Sequence, residues 1–287
     1  MKRILTAIVL ILVVFALFFY GQLWMITLAS ALVAELAAYE YLKLAAVGAE
    51  AHGAHLRIPF WWMALGTALA FVVTLPNFPV EAQLPVLSAI TLILFAWNGF
   101  RAPLAQVLPD TAQGLFGLFW IAYPLTLVPM LWKQEDGTAL IVFLMVCVWS
   151  GDIAALYVGK AIGRHKMAPR LSPGKTWEGA VASIFGSIAA AGLVLWASDS
   201  LAARGNLTMH IAEPIWQTLV LAAIVNIAAQ LGDLLESAIK RGAGVKDSGN
   251  MLPGHGGILD RIDALLVAAP VLWFFLLLKD YLGFGRF

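Results

Sequence analysis

The chain has 287 residues, of which 61% are hydrophobic and 12% are charged, whereas an ordinary soluble domain carries about 25% charged residues. At a mean hydropathy of +0.86, a single core could not hide the apolar side chains from water, which excludes a soluble globular enzyme. The formal net charge of +1 at pH 7 gives no bulk attraction for nucleic acid, so no nucleic-acid partner is expected. The single cysteine can form no intrachain disulfide.

Apolar runs between polar breaks predict an all-α, polytopic integral membrane protein with about nine transmembrane helices, since one span needs about 20 apolar residues. We predict an N-terminal membrane region at 1–132 with about five spans. A C-terminal catalytic membrane region at 133–287 has about four spans and two polar loops. The predicted spans are 4–20, 22–43, 60–76, 84–100, 111–132, 138–162, 177–197, 215–241 and 262–280.

Lys and Arg residues fall unevenly on the two sides of this predicted topology. With the N-terminus in the cytoplasm, 14 of the 18 cations lie in cytoplasmic loops or at adjoining span ends. Because cytoplasmic loops of membrane proteins are enriched in Lys and Arg, this division predicts a cytoplasmic N-terminus and an external C-terminus. It also places two cation-rich loops, at about 160–176 and 240–261, in the cytoplasm. The four cations left outside are Lys133, Arg204, Lys279 and Arg286.

A charged side chain inside a span is costly and needs a reason, and three of the acids inside predicted spans lie at one depth. Glu35, Asp152 and Asp233 each lie about 8 to 10 residues from the cytoplasmic end of their span, or roughly 12 to 15 Å below the inner surface. Their common depth predicts a shared polar cavity that opens to the cytoplasm and reaches into the inner leaflet. Alternatively, each acid pairs with a neighbouring polar side chain to pack helices.

Four polar residues of the eighth predicted span recur at steps of four, three and four. They therefore share one helical face, which runs on to Lys240 and Arg241. This face is either a cavity wall or an interhelical hydrogen-bond seam. The four residues are Asn226, Gln230, Asp233 and Ser237.

The first polar loop combines hydroxyls, cations and a glycine directly before the seventh predicted span. A nucleotide-binding P-loop is excluded, because Pro169 stands where that motif requires glycine and no strand precedes it. The remaining pattern of Ser172, Lys175 and Thr176 suits phosphate binding at a helix N-terminus. Alternatively, Ser172 or Thr176 only caps the helix.

The second polar loop contains more residues of the types that bind ligands and metal ions. Three glycines would let the backbone approach a ligand closely, and the loop leads directly into the last predicted span. Asp260 and Asp263 are three residues apart, so on a helix they share a face and could hold one metal ion. Carboxylates without cysteine favour Mg²⁺ over zinc. Alternatively, Asp260 only caps the helix, which leaves Asp263 and the glycines unexplained.

The segment from Ser237 to Asp263 resembles the signature of the CDP-diacylglycerol synthase, or phosphatidate cytidylyltransferase, family. The upstream segment 171–179 resembles the second recurring segment of that family, although Gly174 stands where Lys is more usual. This resemblance implies a polytopic inner-membrane enzyme, a homodimer, that joins CTP and inner-leaflet phosphatidate to give CDP-diacylglycerol and pyrophosphate. The matching residues are Lys240-Arg241, Lys246-Asp247, Pro253-Gly254-His255-Gly256-Gly257 and Asp260-Arg261-Ile262-Asp263.

Phosphoryl chemistry of this kind needs positioning and neutralisation of charge, and little covalent help from the protein. We predict that Asp233, Asp260 and Asp263 hold Mg²⁺, and that Lys240 and Arg261 complete the catalytic set. The active site would face the cytoplasm and contact membrane lipid. The residues predicted to bind substrate are Ser172, Lys175, Thr176, Arg241, Lys246, Gly254, His255, Gly256 and Gly257.

Two other functions are weighed against this one. A CTP-dependent lipid kinase would use the same nucleotide but transfer its γ-phosphoryl group to an alcohol. An ion-coupled transporter would use Glu35, Asp152 and Asp233 as an ion path. Transporters usually place their site near the bilayer midplane between internal repeats, and no repeat is evident here.

Overall fold

Helices dominate the computed structural model, which describes residues 2–51, 53–75, 78–205, 209, 211, 214–252 and 256–282. The all-α class is confirmed. Ten α-helices occur in this described part, and a π-helical turn at Leu118–Ala122 joins α5 to α6. Their bounds are Lys2–Tyr20 (α1), Leu23–Ala51 (α2), Phe60–Val73 (α3), Val80–Arg101 (α4), Leu104–Gly117 (α5), Tyr123–Trp132 (α6), Gly137–Ile162 (α7), Trp177–Ala202 (α8), Ile215–Gly242 (α9) and Leu259–Tyr281 (α10).

Within the described residues, seven helical stretches are long and apolar enough to cross a membrane. The helices Ile11–Tyr20 and Phe60–Val73 are apolar but shorter. The prediction of a polytopic membrane protein is therefore confirmed, while the number of nine spans and the sides of the termini stay predictions. The seven stretches are Leu23–Ala51, Glu81–Arg101, Leu104–Trp132, Gly137–Ile162, Trp177–Ala202, Ile215–Gly242 and Leu259–Lys279.

The first polar loop contains a small antiparallel β-hairpin that the sequence pattern does not predict. Strand β1 is Lys166–Ala168 and strand β2 is Ser172–Thr176, with Lys166 opposite Thr176 and Ala168 opposite Ser172. Short strands without apolar alternation carry little periodic signal, which explains why this segment reads as an irregular loop. The hairpin leads without a break into α8.

The helices fall into two compact units. The proposed division at residue 132 into an N-terminal and a catalytic membrane region concerns activity and stays a prediction. The first unit contains 1–17, 21–130 and 239–262, and the second contains 18–20, 131–238 and 263–287.

In the first unit, an aromatic cluster joins α2 to α5 and the π-helical turn. The hydroxyl of Tyr41 donates a hydrogen bond to the carbonyl of Gln113 (2.8 Å). The ring of Tyr41 also meets Trp120 edge to face, with ring centroids 6.0 Å apart. A Cβ at Gly117 would lie 2.6 Å from the Tyr41 ring, so only glycine permits this approach of α5 to α2. Edge-to-face aromatic pairs of this kind stabilise a core beyond the contribution of their buried area.

In the second unit, α7, α8 and α9 are joined by buried amide and hydroxyl groups. The side-chain amide of Asn226 donates to the hydroxyls of Ser183 (3.0 Å) and Ser187 (2.8 Å). A Cβ at Gly151 would collide with the Asn226 amide, so glycine on α7 makes room for this bond. The amide of Gln230 donates to Asn226 Oδ1 (2.7 Å). Asn226 and Gln230, the first two residues of the predicted polar face, therefore form an interhelical hydrogen-bond seam, as the alternative interpretation expects.

Candidate active site

The second unit contains a cavity of about 570 Å³ bounded by α7, the β-hairpin, α8 and α9. The carboxylates of Asp152 and Asp233 both line it. The prediction of one polar cavity shared by Glu35, Asp152 and Asp233 is confirmed for Asp152 and Asp233, while Glu35 lies in α2 of the first unit and does not line this cavity. The opening of the cavity to the cytoplasm stays a prediction. The other polar side chains on its wall are Lys160, Ser172, Lys175, Thr176, Ser183 and Gln230.

An ion pair lies on the wall of this cavity. The ammonium of Lys175 in β2 is 2.8 Å from Asp233 Oδ2 in α9, and their side chains are 25% and 40% exposed. One turn further along α9, the hydroxyl of Ser237 donates to Asp233 Oδ1 at 3.5 Å. Because both charges remain partly exposed, an anionic ligand could compete for Lys175 and a cation could compete for Asp233.

The predicted hydroxyls Ser172 and Thr176 have different surroundings. Thr176 is the N-cap of α8, and its side-chain oxygen accepts a hydrogen bond from the Gly179 N–H at 3.2 Å. The capping interpretation is therefore correct for this residue, which is 5% exposed. Ser172 begins β2, is half-buried and lines the cavity. Of the two hydroxyls, Ser172 is thus the more accessible to a ligand.

A contact between His165 and Glu178 joins the hairpin to α8. The sequence motifs assign no role to these two residues. Nδ1 of His165 lies 2.7 Å from Glu178 Oε1 in the first turn of the helix. The carbonyl of His165 also accepts the Trp177 N–H at 2.9 Å. These contacts brace the two ends of the hairpin and so hold Lys175 in place beside Asp233. Their only sequence signal is a carboxylate in the first turn of a helix, which is common.

In the first unit, Asp260 at the start of α10 is nearly buried and fully hydrogen-bonded. Its Oδ1 is 2.7 Å from the ammonium of Lys240, and the two side chains are 8% and 12% exposed. The backbone N–H of Ser248 donates to both carboxylate oxygens (3.2 and 3.1 Å), and that of Gly257 donates to Oδ2 (2.8 Å). We call the described residues of the loop between α9 and α10, 243–252 and 256–258, the motif loop, and Asp260 accepts hydrogen bonds from both of these parts.

The glycines of the motif loop have a reason within the chain itself. Gly256 has φ of +81°, and a Cβ there would lie 2.8 Å from Asp260 Oδ2. A Cβ at Gly257 would collide with the hydroxyl of Ser248 and the carboxylate of Glu40. Close packing on carboxylates thus explains two glycines for which the sequence suggests approach to a ligand. Gly254 and His255 lie outside the described residues.

The remaining predicted site residues are mostly at the surface. Arg241, Lys246 and Arg261 are exposed, and Nη1 of Arg241 donates to the Val245 carbonyl at 2.8 Å. Asp263 belongs to the second unit, where its Oδ1 accepts the Ala264 N–H at 2.8 Å. These exposed cations suit anionic ligands, since they carry their charge at the surface.

The donor groups of the cavity fit Mg²⁺. Within the described residues, no three His, Cys, Asp or Glu side chains lie close enough together to hold a metal ion. Mg²⁺, however, is commonly bound through one or two carboxylates together with water and substrate phosphates. Asp152, Asp233 and Ser172 supply hard oxygen atoms in the lining of this cavity.

These features define a multi-pass membrane protein with a charged cavity and a glycine-rich loop between two spans. The sequence profile of the cytidylyltransferase family matches residues 1–279. The chain therefore belongs to the cytidylyltransferase family, and the resemblance drawn from its motifs is confirmed.

Proteins named phosphatidate cytidylyltransferase from several bacteria are similar to this chain, and three of them show the range of similarity. The protein of Pseudomonas aeruginosa is 34% identical over 282 residues, 94% of either chain. That of Synechocystis is 30% identical over 306 aligned residues, 96% of either chain. That of Brucella suis is 44% identical over 160 residues, 55% of either chain, so this alignment spans about half of the relative.

Proposed function

We propose that this protein is a nucleotidyltransferase that transfers the cytidylyl group of CTP to phosphatidate, giving CDP-diacylglycerol and pyrophosphate in phospholipid synthesis. The proposal rests chiefly on the cavity, where Lys175 forms an ion pair with Asp233. Lys175 belongs to the first motif segment, and Asp233 lies just before the second motif segment in the sequence. The names of the relatives support the same reaction.

The proposed reaction is a single displacement at phosphorus. An oxygen of the phosphatidate phosphate forms a bond to the α-phosphorus of CTP. The bond from that phosphorus to the oxygen that bridges to the β-phosphate breaks, and pyrophosphate leaves with that oxygen. The reacting groups are all anionic, so the protein must chiefly position them and offset their charge.

The described side chains suit this task. Lys175 would neutralise phosphate charge, and the hydroxyl of Ser172 would donate a hydrogen bond to a phosphate oxygen. Arg241, Lys246 and Arg261 add exposed positive charge for the same substrates. We retain Thr176 and Gly254 to Gly257 as proposed substrate contacts, although Thr176 also caps α8.

Mg²⁺ is part of the proposal. When bound, it would supply charge neutralisation for the triphosphate and the leaving pyrophosphate. Asp233 is the proposed ligand that the cavity supports, since its carboxylate is accessible. Asp260 and Asp263 stay proposed ligands on the strength of their spacing, and Lys240 stays a proposed catalytic residue through its contact with Asp260.

The location and partners belong to the same proposal. The relatives are bacterial, and the predicted topology places both polar loops in the cytoplasm. We therefore place the protein in the inner membrane with its site facing the cytoplasm, where it would take CTP from solution and phosphatidate from the inner leaflet. A homodimer is the proposed assembly.

Labelled nucleotide tests the reaction directly. Purified protein is incubated with phosphatidate, Mg²⁺ and CTP labelled at either the α- or the γ-phosphate. We expect α-label in the lipid and γ-label in released pyrophosphate, and neither product when phosphatidate is omitted. Label from the γ-phosphate in the lipid would instead identify a CTP-dependent lipid kinase and overturn the proposal.

A further inference from the structure

A second carboxylate reaches the motif loop from α2, far away in the sequence. Glu40 is 2% exposed and is surrounded in its own helix by the buried residues Ala37, Ala38, Tyr41 and Leu42. Burying a carboxylate among apolar side chains is costly unless hydrogen bonds compensate. Its retention at this position therefore calls for a specific set of partners.

The partners of Glu40 lie in the motif loop and at the start of α10. Its Oε2 accepts the hydroxyl of Ser248 (3.2 Å) and the backbone N–H of Leu259 (2.9 Å). Leu259 is the first residue of α10, and the first N–H groups of a helix have no partner within it. The helix dipole also favours a negative charge at this end. Glu40 thus supplies the acceptor that the start of α10 needs.

The loop is folded closely around this side chain. A Cβ at Gly249 would lie 2.5 Å from Oε1 of Glu40, and one at Gly257 would collide with its carboxylate. Ser248 connects Glu40 to Asp260, because its hydroxyl donates to Glu40 and its N–H donates to Asp260. Two buried carboxylates therefore hold the same serine from two directions.

We propose that Glu40 is a positioning residue, which fixes the motif loop through Ser248 and Leu259 and so sets the geometry of Asp260 and Lys240. The proposal rests on the proposed function only for its effect on catalysis, because the placement of the loop can be measured separately. Glu40 contacts no substrate in this account.

The test compares two substitutions at Glu40 with matched controls. Glu40→Leu removes both acceptors at similar volume, whereas Glu40→Gln keeps a carbonyl oxygen that can accept from Ser248 and Leu259. We expect kcat/KM for CTP to fall about 100-fold in Glu40→Leu, since small displacements of catalytic groups can cost that much. Glu40→Gln should restore it to within a fewfold of the wild type. Glu50→Leu and Glu50→Gln, on the exposed end of the same helix, should leave it unchanged.

Labelling of the loop gives a readout that is independent of activity. Met251→Cys, at a half-buried position of the motif loop, is treated with a maleimide in a Cys147→Ser background. We expect several-fold faster labelling with Glu40→Leu and wild-type labelling with Glu40→Gln. Ser248→Ala should accelerate labelling to a lesser extent, because it removes one of the two contacts and does not introduce an apolar side chain.

The outcomes separate this proposal from the function. A folded Glu40→Leu protein with unchanged labelling would overturn the positioning role, whatever the activity. Equal losses in Glu40→Leu and Glu40→Gln, without rescue, would overturn it too. A wild-type protein that is inactive with CTP and phosphatidate, but whose labelling responds as expected, would refute the proposed function and leave the positioning role supported.

Discussion

Asp233 in the second unit and Asp260 in the first unit are both paired with a lysine, yet their surroundings differ. Asp233 lines an open cavity and is 40% exposed beside Lys175. Asp260 is 8% exposed, and its two oxygens are occupied by Lys240 and two backbone N–H groups. An exposed ion pair is weak and can open for a ligand, whereas a buried one is expensive to break. The comparison teaches that two motif acids, each paired with a lysine, can differ widely in how accessible their carboxylates are to a ligand.

The largest expected effect is at the cavity. Asp233→Asn should lower the rate of CDP-diacylglycerol formation by about 10² to 10³, as expected for the loss of one electrostatic contact to the reacting groups. The free energy of unfolding should change little, because the ion pair with Lys175 is partly exposed. Initial rates and chemical unfolding in detergent measure the two quantities.

Asp199→Asn is the matched control for that substitution. Asp199 lies exposed near the end of α8, and its neutralisation should leave the rate unchanged. Activity of Asp233→Asn within a fewfold of the wild type would show that Asp233 only packs helices.

The second prediction concerns the buried acid. Asp260→Asn should lower the unfolding free energy by about 3 kcal/mol, because it leaves the buried ammonium of Lys240 without this carboxylate. Activity should fall as well, by about 10². Adding Lys240→Met should recover part of the stability and none of the activity. Equilibrium unfolding in detergent and the rate assay are compared for the two variants.

A different result would show that Asp260, like Asp233, serves a ligand. If Asp260→Asn keeps its stability, and high Mg²⁺ restores its rate, the carboxylate acts mainly on a bound ion. The structural role would then be wrong, and the metal assignment made from the spacing of Asp260 and Asp263 would gain its main support.

Much of the fold could be predicted from the sequence, because lipid requires long apolar runs that satisfy their own backbone. The prediction ends the second span at residue 43, whereas α2 continues to Ala51. A charged residue such as Lys43 interrupts an apolar run without ending a helix, since good helix formers continue there. The π-helical turn at Leu118–Ala122 has no periodic signal of its own, because one apolar run covers it and its neighbours.

The site was predictable where residues lie close together along the chain. The motif segments around Lys175 and Asp260 could be identified by composition and spacing. The contact between Lys175 and Asp233 spans distant parts of the chain, and so does that between Glu40 and Ser248. Such pairs depend on tertiary packing, which no local pattern encodes. The depth of the acids below the inner membrane surface was enough to identify Asp152 and Asp233. It did not identify Glu40, whose partners are distant in the sequence.

A smaller effect on stability is expected at two glycines with positive φ, which test whether Asp260 packs tightly against the motif loop. Gly244 has φ of +71° and open space around its Cβ position, whereas Gly256 has φ of +81° and faces Asp260 Oδ2. Gly244→Ala should cost about 1 kcal/mol from backbone conformation alone. Gly256→Ala should cost more, since the new methyl group also displaces the carboxylate. Equal losses in the unfolding free energy of the two variants would show that Asp260 is not held tightly against the loop.

The smallest expected effect is a gain at the cavity wall. Gly174 in β2 is exposed, lines the cavity, and has no atom within 4 Å of an added Cβ. Its φ is not positive, so a larger residue fits without strain. The motif resemblance implies Lys at this position, so Gly174→Lys should place a second cation beside Lys175. We expect KM for CTP to fall about two- to fivefold, because added positive charge attracts a triphosphate.

Salt and a neutral substitution separate this charge effect from a change in the hairpin. Gly174→Ala alters the same backbone position without adding charge, and its KM should equal that of the wild type. The advantage of Gly174→Lys should disappear near 1 M salt, where the Debye length falls to about 3 Å. If Gly174→Lys and Gly174→Ala shift KM equally, or if the gain survives high salt, the substitution acts on the hairpin itself. In that case the cavity wall at Gly174 does not face the nucleotide, and the open volume beside Lys175 and Asp233 would have to accommodate the lipid phosphate instead.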